Sequence, residues 1–124
     1  MTRKDQLRNI LADLCRRAPE TVSAIVATRD GFSVASGLPE TTDREDDTIA
    51  AATARILDVA NDISQQLDQG HLGRILIEGE QRTTIVTGAG RDTALAVVVP
   101  AEAPLGRVMS AIRYAAKKVQ EVYG

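Results

Sequence analysis

Residues 74–99 read RILIEGEQRTTIVTGAGRDTALAVVV, the stretch that most narrows what the chain folds into. Three runs rich in Ile, Val, Leu and Thr are separated by two short glycine-bearing segments, Gly79-Glu80-Gln81 and Gly88-Ala89-Gly90-Arg91-Asp92. β-Branched side chains suit a pleated surface, and glycine suits the backbone angles of tight turns. The pattern predicts an antiparallel meander with strands over 74–78, 82–87 and 93–99. The last run is apolar without alternation, so it is expected at the centre of a sheet, covered on both faces. The G-x-G at 88–90 invites comparison with a phosphate loop. It lacks a third glycine and a Lys-Ser/Thr pair, and a strand follows where a phosphate cradle needs a helix.

The residues before the meander divide into a helix, a hairpin and a longer helix. Leu7, Ile10, Leu11 and Leu14 recur at helical spacing over residues 3–17. Thr2 and Asp5 have the spacing of a capping box, and Pro19 stops the helix. Val22–Thr28 and Phe32–Ser36 alternate as two strands, joined by Asp30-Gly31. Asp-Gly between such runs is a strong hairpin signal, because glycine accepts positive φ and aspartate tolerates it. Residues 38–43 read as a connector.

The longer helix is expected over 43–68. Thr42 and Glu45 offer a second capping box, and Glu45, Asp46 and Asp47 lie where a helix dipole favours negative charge. Consecutive carboxylates on a helix point in different directions, which disfavours a divalent-metal site. Ile49, Thr53, Ile56, Ala60, Ile63 and Leu67 form one stripe, expected to lie on the sheet. Ala50, Ala54, Leu57, Asn61 and Ser64 form a flank whose small residues allow a second backbone to approach, or serve helix propensity alone. Arg55, Asp58, Asp62, Gln65 and Gln69 form a polar stripe, either a partner-binding surface or a solvated face. Glycines at 70 and 73 end the helix, and His71 reads as a loop residue. A last helix is expected over 104–122, with Leu105, Val108, Met109, Ile112, Ala116, Val119 and Tyr123 as its apolar stripe. Arg113, Lys117 and Lys118 form a basic group near its end, either a solvated face or an anion site.

The order is therefore α-β-β-α-β-β-β-α, an α+β chain with an antiparallel sheet and helices on both faces. Its 124 residues suit one domain over 1–124. Phe32, Tyr114 and Tyr123 are the only aromatics, so a stacking platform for nucleic acid or a ring-lined pocket for a sensed metabolite is not expected. Fifteen basic and 17 acidic residues are mixed, with no basic stripe to mark a nucleic-acid binder. Cys15 is alone, which fits a reducing cytoplasm and excludes a multi-cysteine metal site. No run is long and apolar enough for an integral membrane segment, and the charged MTRKDQL start does not read as a signal peptide. With one His, one Cys and no nucleophile motif, no catalytic residue, cofactor or metal is expected.

VSAIVATRDGFSVASG at 22–37, AAATARILDVANDI at 50–63, the meander and APLGRVMSAIR at 103–113 together resemble the Roadblock/LC7 family, the last stretch most like its bacterial MglB-type members. The resemblance covers nearly the whole chain. It implies a profilin-like, five-stranded antiparallel sheet with the long helix on one face and the terminal helices on the other. It also implies a homodimer in which the central helices lie side by side and the third strands pair into one continuous sheet. The family binds and regulates small Ras-like GTPases or serves as an adaptor for motor, polarity or membrane-localised complexes. MglB-type members activate an MglA-like GTPase by remodelling the GTPase's own catalytic residues, without an arginine finger. On this expectation Ala50, Ala54, Leu57, Asn61, Arg74, Leu76 and Glu78 line the dimer interface, and Arg55, Asp58, Asp62 and Gln65 meet the partner. Antiparallel pairing about Leu76 sets Arg74 opposite Glu78 of the second copy, a contact that fixes register more than it stabilises.

Overall fold

The structure is a computed structural model that describes residues 1–37 and 43–123, without the side chains of 43–45. The capping box expected of Thr42 and Glu45 lies outside the described residues, as does most of the connector over 38–43. Eight elements follow in order: α1 (Arg3–Arg17), β1 (Ser23–Thr28), β2 (Ser33–Ser36), α2 (Asp43–Gln66), β3 (Arg74–Glu78), β4 (Arg82–Gly88), β5 (Thr93–Pro100) and α3 (Leu105–Tyr123). The strands form one antiparallel sheet in the order β2-β1-β5-β4-β3. The unbroken apolar run of β5 is thus central, pairing Val97 with Ala24 on one side and Ile85 on the other.

α1 starts as its sequence requires. The Thr2 Oγ1 accepts the Asp5 N–H at 3.1 Å, and the Thr2 N–H donates to the Asp5 carboxylate at 3.2 Å. The Thr2 N–H, bonding the charged form, holds the Asp5 carboxyl below its usual range. Leu7, Leu11 and Leu14 then bury one stripe. α3 lies beside α1 on the same face of the sheet, burying Val108, Ile112, Ala115, Ala116 and Val119. Arg17 stacks over the Tyr114 ring at 4.3 Å, and Arg3 over Tyr123 at 4.7 Å. These contacts lay α1 cations on α3 aromatics.

α2 covers the opposite face, packing mainly on β1, β2 and β5. The two layers are unequal. Among the described residues, the α1/α3 side holds 19 buried core residues and the α2 side holds five: Ile25, Ala27, Ala50, Val86 and Ala96. Most of the stability from apolar burial therefore resides under α1 and α3, and the α2 layer is thin.

The first hairpin is tied to α2 at its tip. The Gly31 N–H donates to Thr28 O at 3.0 Å and the Thr28 N–H to Phe32 O at 2.9 Å, with Gly31 at φ 91°. A Cβ at Gly31 would stand 3.3 Å from the Ala51 Cα. The turn at Asp30-Gly31 is therefore also a docking point for the helix. Phe32 does not open β2 as expected. It is 66% exposed, and the strand begins at Ser33. At the end of α2 the left-handed position falls to Asp68 (φ 52°) before Gly70 (φ 84°). Gly31→Ala combines a positive φ that costs an L-residue about 1–2 kcal/mol with that close approach to α2. A urea titration should show a loss of about that size, and an unshifted midpoint would refute the docking role.

Candidate interaction surface

Which side of α2 meets the sheet is decided by small and polar side chains. Asp46, Ala50, Thr53 and Ser64 are buried, and Leu57 packs against the same layer. The Thr53 hydroxyl donates to Ile49 O at 2.7 Å, so its burial leaves no unmet hydrogen bond. Ser64 Oγ lies 3.4 Å from Gln69 Oε1. The helix backbone comes close to the β1–β2 turn, and only small side chains fit beneath it there.

Two expectations are corrected by this packing. Ala50 is fully buried within its own subunit, so its side chain is not available to a second copy. Ala54, Leu57 and Asn61 are half-buried on the same side. Conversely, the stripe expected on the sheet is partly turned outward: Ile63 is 48% exposed and Leu67 64%, joined by Val59 at 57%. Ile49 and Ile56 sit at its margin, partly buried against the α2 layer. Arg55, Asp58, Asp62 and Gln65 are all exposed on the helix's other flank. The sheet-facing line thus separates an outward apolar flank from an outward polar one.

β3 continues the apolar flank. It pairs only with β4 and so is an edge strand. Its residues alternate between faces. Ile75 and Ile77 share a face with Val86 and Thr84 on the α2 side, and Ile75 packs against the α2 layer. Arg74, Leu76 and Glu78 lie on the α1/α3 side and are exposed. Leu76 is 41% exposed and Ile77 44%, with the strand's outer backbone groups open. Such an edge is a template for another strand.

The remaining candidates are ordinary. GAGRD is the β4–β5 turn, where the Ala89 N–H donates to Thr93 O at 2.9 Å and the Thr93 hydroxyl to Ala89 O at 2.5 Å. His71 is exposed in the connector. Burial pushes the Cys15 thiol up, away from thiolate reactivity. Arg107 is held by Glu20. Among the described residues no group of His, Cys, Asp and Glu could hold a metal ion, and no helix is long and apolar enough to cross a membrane.

The Roadblock/LC7 domain family model matches residues 7–99, from α1 through β5. The chain belongs to the Roadblock/LC7 family. An uncharacterised protein of Methanocaldococcus jannaschii is 28% identical over 100 residues, covering 81% of this chain and 85% of its own. Among solved structures, the gliding protein MglB of Thermus thermophilus superposes with a TM-score of 0.87 at 21% identity, covering 98% of this chain and 91% of its own. An MglB described with a tetrameric arrangement gives the same TM-score and identity, covering 98% of this chain and 90% of that one. At these identities the likeness is one of fold.

The packing of α2 separates two alanines two residues apart. Ala50→Leu forces extra volume into a sealed layer and should cost about 1–3 kcal/mol. Ala52, which is exposed, should accept leucine within about 0.5 kcal/mol. Equal losses in chemical denaturation would place the wrong side of α2 on the sheet.

Proposed function

We propose that this chain is a homodimeric regulator of a small Ras-like GTPase, acting like MglB as a GTPase-activating protein through a surface made by two α2 helices. The observation that carries it is the coincidence of an outward apolar flank on α2 with an open, apolar edge at β3. Val59, Ile63 and Leu67 from two copies, each already half-exposed, recover on the order of 6 kcal/mol on burial. That falls in the lower part of the cost of association, about 4–15 kcal/mol. The helix flank alone therefore leaves little surplus, and backbone pairing of β3 with β3 adds to it. Pairing about Leu76 sets Arg74 opposite Glu78 of the partner subunit and extends the sheet across both copies.

Such a dimer takes Ile56, Val59, Ile63 and Leu67 for itself and leaves Arg55, Asp58, Asp62 and Gln65 open on each α2. This polar flank would meet the GTPase. The reading needs no catalytic residue or cofactor from this chain, and no arginine finger is assigned. The regulator would act by positioning groups that the GTPase already owns.

Glu78→Lys places a cation opposite Arg74 twice per dimer and should weaken dimerisation about tenfold. Adding Arg74→Glu should restore it. Light scattering across a dilution series reads both, and an unaffected single variant would refute the register. In a GTP hydrolysis assay with a small Ras-like GTPase, stimulation lost in D58K/D62K supports activation through this flank. Binding without stimulation would make the protein an adaptor, and no binding would overturn the GTPase reading.

A further inference from the structure

A second surface lies on the opposite face of the sheet, in the groove between α3 and the ends of β3 and β4. Its volume is about 310 Å³. Three cations line it: Arg74 at the start of β3, and Arg113 and Lys117 one turn apart on the exposed face of α3. No acidic side chain lines it, and among the described residues none of the three cations has a carboxylate partner. Met109, Ile112 and Ala116 form an apolar floor. Gly73 and Gly88 are exposed at one end of the groove, with their Cβ directions turned to the α2 face.

We infer that this groove binds an extended acidic peptide segment of a partner protein, with an apolar side chain seated between its carboxylates. Unpaired cations on both walls supply charge complementarity, which favours encounter and register. The apolar floor has no use for a free inorganic anion but fits an aliphatic side chain. The exposed Gln120 amide in the lining offers hydrogen bonds to an extended chain. A bilayer is the poorer fit, because the groove is recessed and the chain carries a net charge of −2, which opposes approach to an anionic surface. The inference does not rest on the GTPase reading. In the dimer proposed above Arg74 is shared with the strand seam, so the test uses Arg113, Lys117 and Thr87.

The probe is a fluorescein-labelled peptide, Glu-Leu-Glu-Glu-Leu-Glu, titrated with the full chain by fluorescence anisotropy. Binding should exceed that of the Gln-for-Glu peptide and weaken as salt is raised. R113E/K117E should weaken it about tenfold. T87L, which adds volume on the groove side of β4 without changing charge, should weaken it comparably while R107E, outside the groove, leaves it unchanged. Thermal melts confirm that each variant folds. The inference is overturned if the two peptides bind alike, or if neither groove variant changes binding. It is also overturned if inorganic phosphate alone displaces the peptide stoichiometrically, or if the protein sediments with phosphatidylserine vesicles but ignores the peptide.

Discussion

The position of β5 determines most of this molecule. Its run TALAVVV is buried on both faces, and hydrocarbon on both sides of a strand is stable only with a neighbour strand at each edge and a helix layer above and below. β5 therefore sits between β1 and β4, which sends β2 and β3 to opposite edges of the sheet. The chain has to travel from one edge to the other between them, and α2 makes that journey. Five strands span about 19 Å between the outer axes, whereas 24 helical residues extend about 36 Å. Ser64 is nonetheless buried in its C-terminal half, so the exposure of Val59, Ile63 and Leu67 there is that of one flank turned away from the sheet.

The same constraint explains which parts of the fold are legible in the sequence. Strands, turns and terminal helices follow local rules: alternation, glycine at positive φ, the capping box of Thr2 and Asp5, and a leucine stripe on α1. Each is a property of residues close together in the chain, and each is observed close to where those rules place it. The orientation of α2 is not local. A hydropathy stripe puts Ile63 and Leu67 with Thr53 and Ile56 on the buried side, but the sheet takes Thr53 with Ala50 and Ser64 and leaves Ile63 and Leu67 outward. The reason is distance. Where the helix backbone passes within 3.3 Å of the position of a Gly31 Cβ, large aliphatic side chains do not fit beneath it. Small size, with each hydroxyl bonded internally, outranks hydrophobicity there. Knowing this from sequence would require knowing that the β1–β2 turn docks on α2.

The inversion also changes which residues bear on association. An alanine-rich flank suggests close helix pairing, yet Ala50 is occupied inside the subunit and Ala54 is half-buried there. The outward flank is made of branched aliphatic side chains, which suit burial by area more than close backbone approach. It lies on the side of the sheet where β3 turns Ile75 and Ile77. A second subunit that pairs β3 edge to edge carries its own α2 along with its sheet, so strand pairing and helix packing arise in one rigid-body event. Neither surface has to be stable alone, and a monomer exposes both.

The two faces of β3 then carry different tasks. Its α2-side residues belong to the apolar flank, while Arg74 points to the α1/α3 side, where it borders both the open strand edge and the groove under α3. A cation bordering two candidate partners cannot be fully committed to either. If the strand seam forms, Glu78 of the partner subunit draws Arg74 toward the edge and lowers its charge contribution to the groove, leaving Arg113 and Lys117 to define the site. In a separated subunit all three cations face the groove unopposed. Dimer formation and acidic-peptide binding would then be coupled through one side chain with a definite sign: each opposes the other. The coupling stays small because Arg113 and Lys117, both on α3, are untouched by the seam.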